Sequence, residues 1–226
     1  MERNEPRNPK QVRSIATKEQ LFRAALELFE EEGYHRTTTK KIAARANIAV
    51  GSFYAYYRNK KAVFLEVIRF YYGRIAEEAL GDLFPNPGGA GGPTGISEIG
   101  GTEGAAEIRG QDPREYLSAI IGQLYEAHDI TPKLHREITG MRYSDAEVDR
   151  LIREEESKTI GRVQELLESL QPVLVVKDLE AAAHLLHNST EELIHSIKIF
   201  GPPIEASRLL SELKEMVSRY LLGNEG

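Results

Sequence analysis

The chain has 226 residues, of which 41% are hydrophobic, and this is enough for a substantial core. It has no cysteine, which excludes disulfides and thiolate metal sites, and no run of about 18 apolar residues that could cross a membrane. The net charge of −6 conceals an asymmetry, because residues 1–75 hold 15 basic and 8 acidic residues, whereas residues 76–226 hold 14 and 27. The basic part suits phosphate contacts, and the acidic part would repel DNA.

The N-terminus is polar and lacks the apolar segment of a secretory signal, so we expect a soluble cytoplasmic protein. Residues 1–14 predict a disordered tail. The capping-box spacing at Thr17 predicts that the first helix begins there, and Gly33 is placed to end it in a left-handed turn. Apolar residues recur along this helix at helical intervals.

A helix-turn-helix is predicted next. Its first helix begins at Thr38 or Thr39 and its second spans about residues 50–57. Asn47 lies at the turn, where its tolerance of positive φ is useful. Small residues are needed where the two helices cross, and Ala43, Ala46 and Gly51 supply them.

A fourth helix is predicted from Asn59 or Lys60 to Leu80, and residues 85–111 form a Gly-rich segment. That segment is interpreted as a flexible linker, with a mobile gate over a ligand cavity as the alternative. Later helices are predicted to begin at Pro113, Pro132, Ser144, Asp178 and Ile204. The short run at residues 173–176 is treated as a loop. The prediction is therefore an all-α protein of about nine helices.

The helix-turn-helix carries side chains suited to DNA. Hydroxyls and cations at the helix ends can contact phosphate, whereas base readout must come from the exposed face of the third helix. Phe53 and Tyr57 are interpreted as core residues, and Tyr54 as a DNA contact. The predicted DNA-binding residues are Thr38, Thr39, Lys40, Lys41, Val50, Gly51, Ser52, Tyr54, Tyr56 and Lys60. Because the third helix has no Arg, Gln or Asn, we expect shape and apolar contacts to contribute to specificity.

These residues give the chain its resemblance to a known family. Residues 15–70 resemble the TetR family of transcriptional regulators. The residues that match the family pattern are Thr38, Ile42, Ala43, Ala46, Gly51, Ser52, Tyr54, Tyr56 and Lys60. Three positions depart from the pattern: Asn47 replaces a turn glycine, Ala49 a capping serine, and Lys61 a common glutamate.

The resemblance implies a DNA-binding domain at residues 15–62 and a ligand-binding and dimerisation domain at residues 63–226. It also implies a homodimer formed through helices at about residues 178–200 and 204–222, a palindromic operator, and repression relieved by a small-molecule effector. Neither a cofactor nor a metal is expected. Ligand binding would then weaken DNA binding, and the coupling would be reciprocal.

Polar residues of the second domain raise two further possibilities. One set is a candidate lining for an effector pocket, with ordinary core or surface positions as the alternative; its members are Tyr116, Tyr125, His128, Met141, Tyr143, His184 and Asn188. Another set, His184, His187, Glu191 and His195, lies near one helix face. It is interpreted as a polar seam in a dimer interface or pocket wall rather than as a metal site.

Two other classes of protein fit less well. An enzyme is disfavoured because the chain has no nucleophile elbow, phosphate-binding loop or paired-carboxylate motif. A purely architectural DNA binder would not need a long acidic, helix-rich segment after the DNA-binding part. A ligand-responsive regulator remains the preferred prediction.

Overall fold

The computed structural model describes residues 12–80, 112–128 and 132–223. Within those ranges the chain forms nine α-helices and no strand, which confirms the predicted all-α class. The helices are α1 Val12–Glu32, α2 Thr39–Arg45, α3 Val50–Phe53, α4 Lys60–Leu80, α5 Pro113–Ala127, α6 Pro132–Arg142, α7 Ala146–Leu170, α8 Leu179–His195 and α9 Ala206–Leu222. A short 3-10 helix follows α7, and a π-helical turn follows α8. None of the described helices is long and apolar enough to span a bilayer.

The described residues fall into two compact units. The first contains residues 12–71 and 133–152, and the second contains residues 72–80, 112–128, 132 and 153–223. This division differs from the predicted boundary at residue 62, because α6 and the start of α7 pack with the helices of the first unit. The Lys61 ammonium of α4, for example, lies 2.7 Å from the carboxylate of Asp145 just before α7.

Aromatic and aliphatic side chains form the core of the first unit. Leu21, Phe29 and Phe64 are fully buried, and the two phenylalanine rings meet edge to face at 5.0 Å. Gly33 ends α1 with φ 82°, as predicted, and a Cβ at this position would collide with the Glu137 carboxylate. Its left-handed backbone conformation therefore favours glycine, whereas the flexible Glu137 side chain could move aside.

The second unit is held by a separate hydrophobic cluster from α5, α7, α8 and α9. Leu117, Leu167 and Leu221 are among its buried members. Burying each such side chain contributes on the order of 1.5–3 kcal/mol. The end of α9 is tied to the segment between α7 and α8, because the Val175 amide donates to the Leu221 carbonyl at 2.8 Å.

Two sequence predictions differ from the structure. Helix α1 begins at Val12 rather than Thr17, so residues 12–14 of the predicted tail are helical. The Ser14 hydroxyl donates to the Tyr56 hydroxyl at 3.2 Å, which connects this extra turn to the helix-turn-helix. Helix α3 ends at Phe53 rather than near Tyr57. The Gly-rich segment 85–111, interpreted from its sequence as a linker with a gate as the alternative, lies outside the described residues.

Candidate nucleic-acid interface and effector cavity

The two helices of the helix-turn-helix are fixed by their ends. Thr38 is the N-cap of α2, and its hydroxyl accepts a hydrogen bond from the Lys41 amide at 3.2 Å. Asn47 has φ 55°, so it takes the left-handed turn conformation predicted for it. Ala49 precedes α3 and provides no side-chain cap. The missing cap accords with the shortness of α3, which continues only as turns after Phe53.

The aromatic residues of this region divide into two groups. Phe53 and Tyr57 are buried, which confirms the interpretation of both as core residues. Tyr54, in contrast, is 52% exposed, and its hydroxyl lies 3.1 Å from the Thr39 hydroxyl. A pair of hydroxyls has two protons but uses only one between its members, so one O–H remains to be donated outward. This arrangement suits a phosphate oxygen.

Exposure separates the ten predicted DNA-binding residues. Thr38, Lys40, Lys41, Gly51, Ser52 and Tyr54 are exposed, whereas Thr39, Val50, Tyr56 and Lys60 are half-buried. The structure corrects the role predicted for Gly51 at the helix crossing, because a Cβ there would meet nothing within 4 Å. Its exposed backbone is instead open to a partner. Ala43 fills the crossing and is fully buried.

Lys60 is directed into the protein rather than outward. Its ammonium donates to the carbonyls of Tyr34 and Thr37, at 2.5 and 2.9 Å, and lies 4.0 Å from the centre of the Tyr34 ring. Burial lowers its pKa, although Glu137 acts in the opposite direction. The side chain predicted to contact phosphate therefore anchors the loop between α1 and α2. The sequence showed its charge but not the carbonyls that it meets.

Acidic residues compensate several other cations near the motif. Lys41 pairs with Glu32 at 2.5 Å, and Arg45 binds Glu27 and Glu31 at 3.1 and 2.7 Å. Lys40, on the same helix, is exposed and makes no ion pair with any residue that the structure describes. The positive surface that remains available to DNA is consequently smaller than the residue count suggests.

An apolar cavity of about 100 Å³ lies within the second unit. Aliphatic side chains from α4, α5, α7, α8 and α9 form most of its wall. Its polar wall residues are Thr159, His187, Thr190 and Glu191. Burial lowers the pKa of His187, which favours a neutral ring. A few converging polar groups in an apolar wall are typical of small-molecule sites.

None of the seven residues predicted to line a pocket belongs to this lining. Tyr143 is 87% exposed and, with the buried Met141, belongs to the first unit. His184 and Asn188 lie on the exposed side of α8, whereas residues 187, 190 and 191 face the cavity.

The other three predicted pocket residues have different surroundings. Tyr116 is buried in the hydrophobic cluster of the second unit. The Lys198 ammonium lies 3.5 Å from the centre of the Tyr125 ring. His128 contacts Glu191, which is itself a wall residue. The predicted set therefore differs from the lining of this cavity, because a helix rich in alanine and leucine does not reveal which of its faces is turned inward.

Comparison with known proteins connects this geometry to a family. Residues 17–67 match the bacterial regulatory proteins of the tetR family, and residues 112–221 match the tetracyclin repressor-like C-terminal domain. The chain belongs to the TetR family. This is a family of transcriptional regulators rather than enzymes, as the sequence predicted, and its members bind DNA and small-molecule effectors.

Individual relatives of this TetR-family chain agree with the assignment. The fatty acid metabolism regulator protein of Bacillus subtilis is 33% identical over 64 residues, which are 28% of this chain and 33% of that protein. Across the curated relatives it matches, the chain spans 19–38% of their length.

Solved structures cover more of the chain. A TetR-family transcriptional regulator from Mesorhizobium loti superposes with a TM-score of 0.71 at 15% identity, over 93% of this chain and 97% of that one. The fatty acid degradation regulator FadR from Bacillus halodurans gives 0.62 at 18% identity, over 94% and 96%. At these identities the likeness establishes the fold alone.

Proposed function

We propose that this chain is a repressor that binds a palindromic operator as a homodimer and is released by a small molecule held in the second unit. The exposed Thr39–Tyr54 pair is the observation that supports DNA binding most directly. The Tyr54 ring is exposed and its hydroxyl lies beside that of Thr39, so the pair can donate an O–H to a phosphate oxygen.

DNA contact would combine positioning with modest base readout. Lys40, Thr38 and Ser52 offer a cation and hydroxyls to the phosphates. Val50 and Ala55 offer methyl groups to thymine, and the exposed backbone of Gly51 permits close approach. With no bidentate base contact from α3, discrimination between operators depends on DNA shape and apolar contacts as well.

The effector is proposed to be a small, mainly apolar molecule. A cavity of about 100 Å³ fits only a compact group in this state, so a larger effector must widen it. A hydrogen-bonding group on that molecule would meet His187 or Thr190. An effector that binds the widened state more tightly shifts the protein towards that state. When DNA binds the narrow state more tightly, the same coupling lowers the affinity for DNA.

The experiment is a binding titration on a duplex selected by the wild-type protein from a random pool. Tyr54→Ala is expected to weaken binding by about tenfold or more, which corresponds to about 1.4 kcal/mol. The melting temperature should change little, because half of the side chain is exposed.

Tyr143→Ala is the matched control, since it removes an exposed tyrosine of the same unit that lies outside the helix-turn-helix. Equal affinities for the two variants would contradict the assigned role of Tyr54. Failure of the wild-type protein to enrich any sequence would contradict the proposed function as a whole.

A further inference from the structure

A carboxylate and two imidazoles meet inside the second unit. Glu191 Oε2 lies 3.4 Å from His128 Nε2 and 3.1 Å from His195 Nε2. All three side chains are largely removed from solvent, with exposed fractions of 1% for His128, 18% for His195 and 19% for Glu191. Glu191 and His195 are one turn apart along α8, and His128 comes from the end of α5.

The hydrogen bonds of His128 determine where its protons lie. Its Nδ1 is 2.7 Å from the Leu124 carbonyl oxygen, which can only accept, so Nδ1 carries a proton. In a neutral ring, Nε2 would then present a lone pair to the Glu191 carboxylate, which also only accepts. Two hydrogen-bond acceptors that face each other repel unless a positive charge lies between them or on one of them. That charge is either a second proton on His128 or a bound cation.

The distances fit a cation as well as a proton. Ligand atoms about 2.0–2.1 Å from a tetrahedral ion lie about 3.3 Å from one another. The distances of 3.1 and 3.4 Å from Glu191 Oε2 to the two imidazole nitrogens match that separation between ligand atoms. A carbonyl that accepts from the opposite ring nitrogen is also the usual support for a histidine that binds metal through Nε2.

We propose that His128, Glu191 and His195 bind a divalent transition-metal ion of the zinc type. Two imidazole nitrogens and one carboxylate oxygen favour Zn²⁺ over Mg²⁺ or Ca²⁺, which prefer all-oxygen sites. Glu191 also belongs to the cavity wall, so an ion held by these residues would lie beside the cavity. This site does not depend on the proposed repressor function.

Charge within the cluster is consistent with a site that attracts cations. Burial acts to raise the pKa of Glu191, but the two neighbouring imidazoles outweigh it and keep that pKa well below its ordinary value. An imidazolium–carboxylate pair without metal would give the same ionisation. The two alternatives differ in whether Zn²⁺ binds, and that difference can be measured.

The test uses the full chain, freed of metal by a chelator, in competition with a chromophoric chelator for Zn²⁺. We expect one Zn²⁺ per chain in the wild type, and a melting temperature that rises with Zn²⁺ because only the folded chain has the site. His128→Ala and Glu191→Gln should each weaken Zn²⁺ binding by about 100-fold or more. Co²⁺ in place of Zn²⁺ should show the visible absorption of a four-coordinate ion in the wild type only.

His184→Ala is the matched control, because it removes an exposed histidine of the same helix. It should bind Zn²⁺ like the wild type. Circular dichroism on each metal-free variant separates loss of the site from loss of the fold. Failure of the folded wild type to bind Zn²⁺ overturns the proposal in favour of the imidazolium pair. Unchanged Zn²⁺ affinity in folded Glu191→Gln also overturns it.

Discussion

Lys40 and Lys60 show how two lysines of one motif take different roles. Lys40 extends into solvent from the first turn of α2, whereas the Lys60 ammonium donates to the Tyr34 and Thr37 carbonyls. Their positive charge alone predicts that both lysines contact phosphate. The difference depends on neighbouring backbone oxygens that only the folded chain brings near Lys60.

Substituting the two lysines should separate stability from DNA affinity. Lys60→Met leaves two carbonyls without their donor and is expected to lower the free energy of unfolding by about 1–3 kcal/mol. Lys40→Ala should leave that free energy unchanged within about 0.5 kcal/mol and weaken operator binding. Urea denaturation and a binding titration on each variant provide the check. The assigned roles are wrong if Lys60→Met is as stable as the wild type and loses only DNA affinity.

At the scale of elements, an ion-pair network joins α4 to the start of α7. Lys61 lies 2.7 Å from Asp145 and 2.9 Å from Glu147, and Asp145 also caps α7 by accepting from the Glu147 amide at 3.0 Å. The hydrogen bond from Lys61 is the largest influence on both carboxyls, and it lowers the pKa of each. This junction explains why α7 begins within the first unit.

The network predicts a loss of stability in acid. Because the folded pKa values of Asp145 and Glu147 lie below their ordinary values of 3.8 and 4.5, their contribution is present above those values. It is lost as the pH falls through 4.5 and 3.8 towards the lowered pKa values. Lys61→Met should therefore be less stable than the wild type at about pH 7, and the gap should narrow at about pH 4. Urea midpoints at both pH values measure the stability difference between the wild type and the variant. A difference that grows in acid would contradict the prediction.

Helical periodicity predicted most elements but not all their limits. Thr38 as a cap, Gly33 as a stop and Asn47 at positive φ follow from local chemistry, and the structure has all three. The end of α3 was placed too late, because the aromatic run 53–57 continues a helical pattern while the backbone passes into turns. The contact between His128 and Glu191 spans 63 residues, and no local pattern reveals it.

For the whole molecule, the exposed apolar side chains on α8 and α9 are relevant to the predicted homodimer. Leu185 and Met216 are each 51% exposed, and Tyr220 is 38% exposed. Both helices were predicted from the family resemblance to form the dimer interface, which stays a prediction. A second copy of the chain would remove these side chains from water.

Charge on this surface should disrupt a dimer formed through it. The double substitution Leu185→Glu and Met216→Glu is expected to convert a dimer to a monomer in sedimentation velocity, because buried like charges repel across a two-fold axis. Val173→Glu is the control, as Val173 is 48% exposed and lies in the short 3-10 helix. Circular dichroism shows whether the monomer is folded. A double variant that remains dimeric would place the interface elsewhere.

The carboxylates around Lys41 and Arg45 also have a consequence for binding to DNA of arbitrary sequence. Unpaired cations gain affinity for any DNA by releasing condensed counterions from it, and cations that are already neutralised release fewer. Binding to arbitrary DNA should then be weak and should vary little with ionic strength. Few molecules would be sequestered away from the operator.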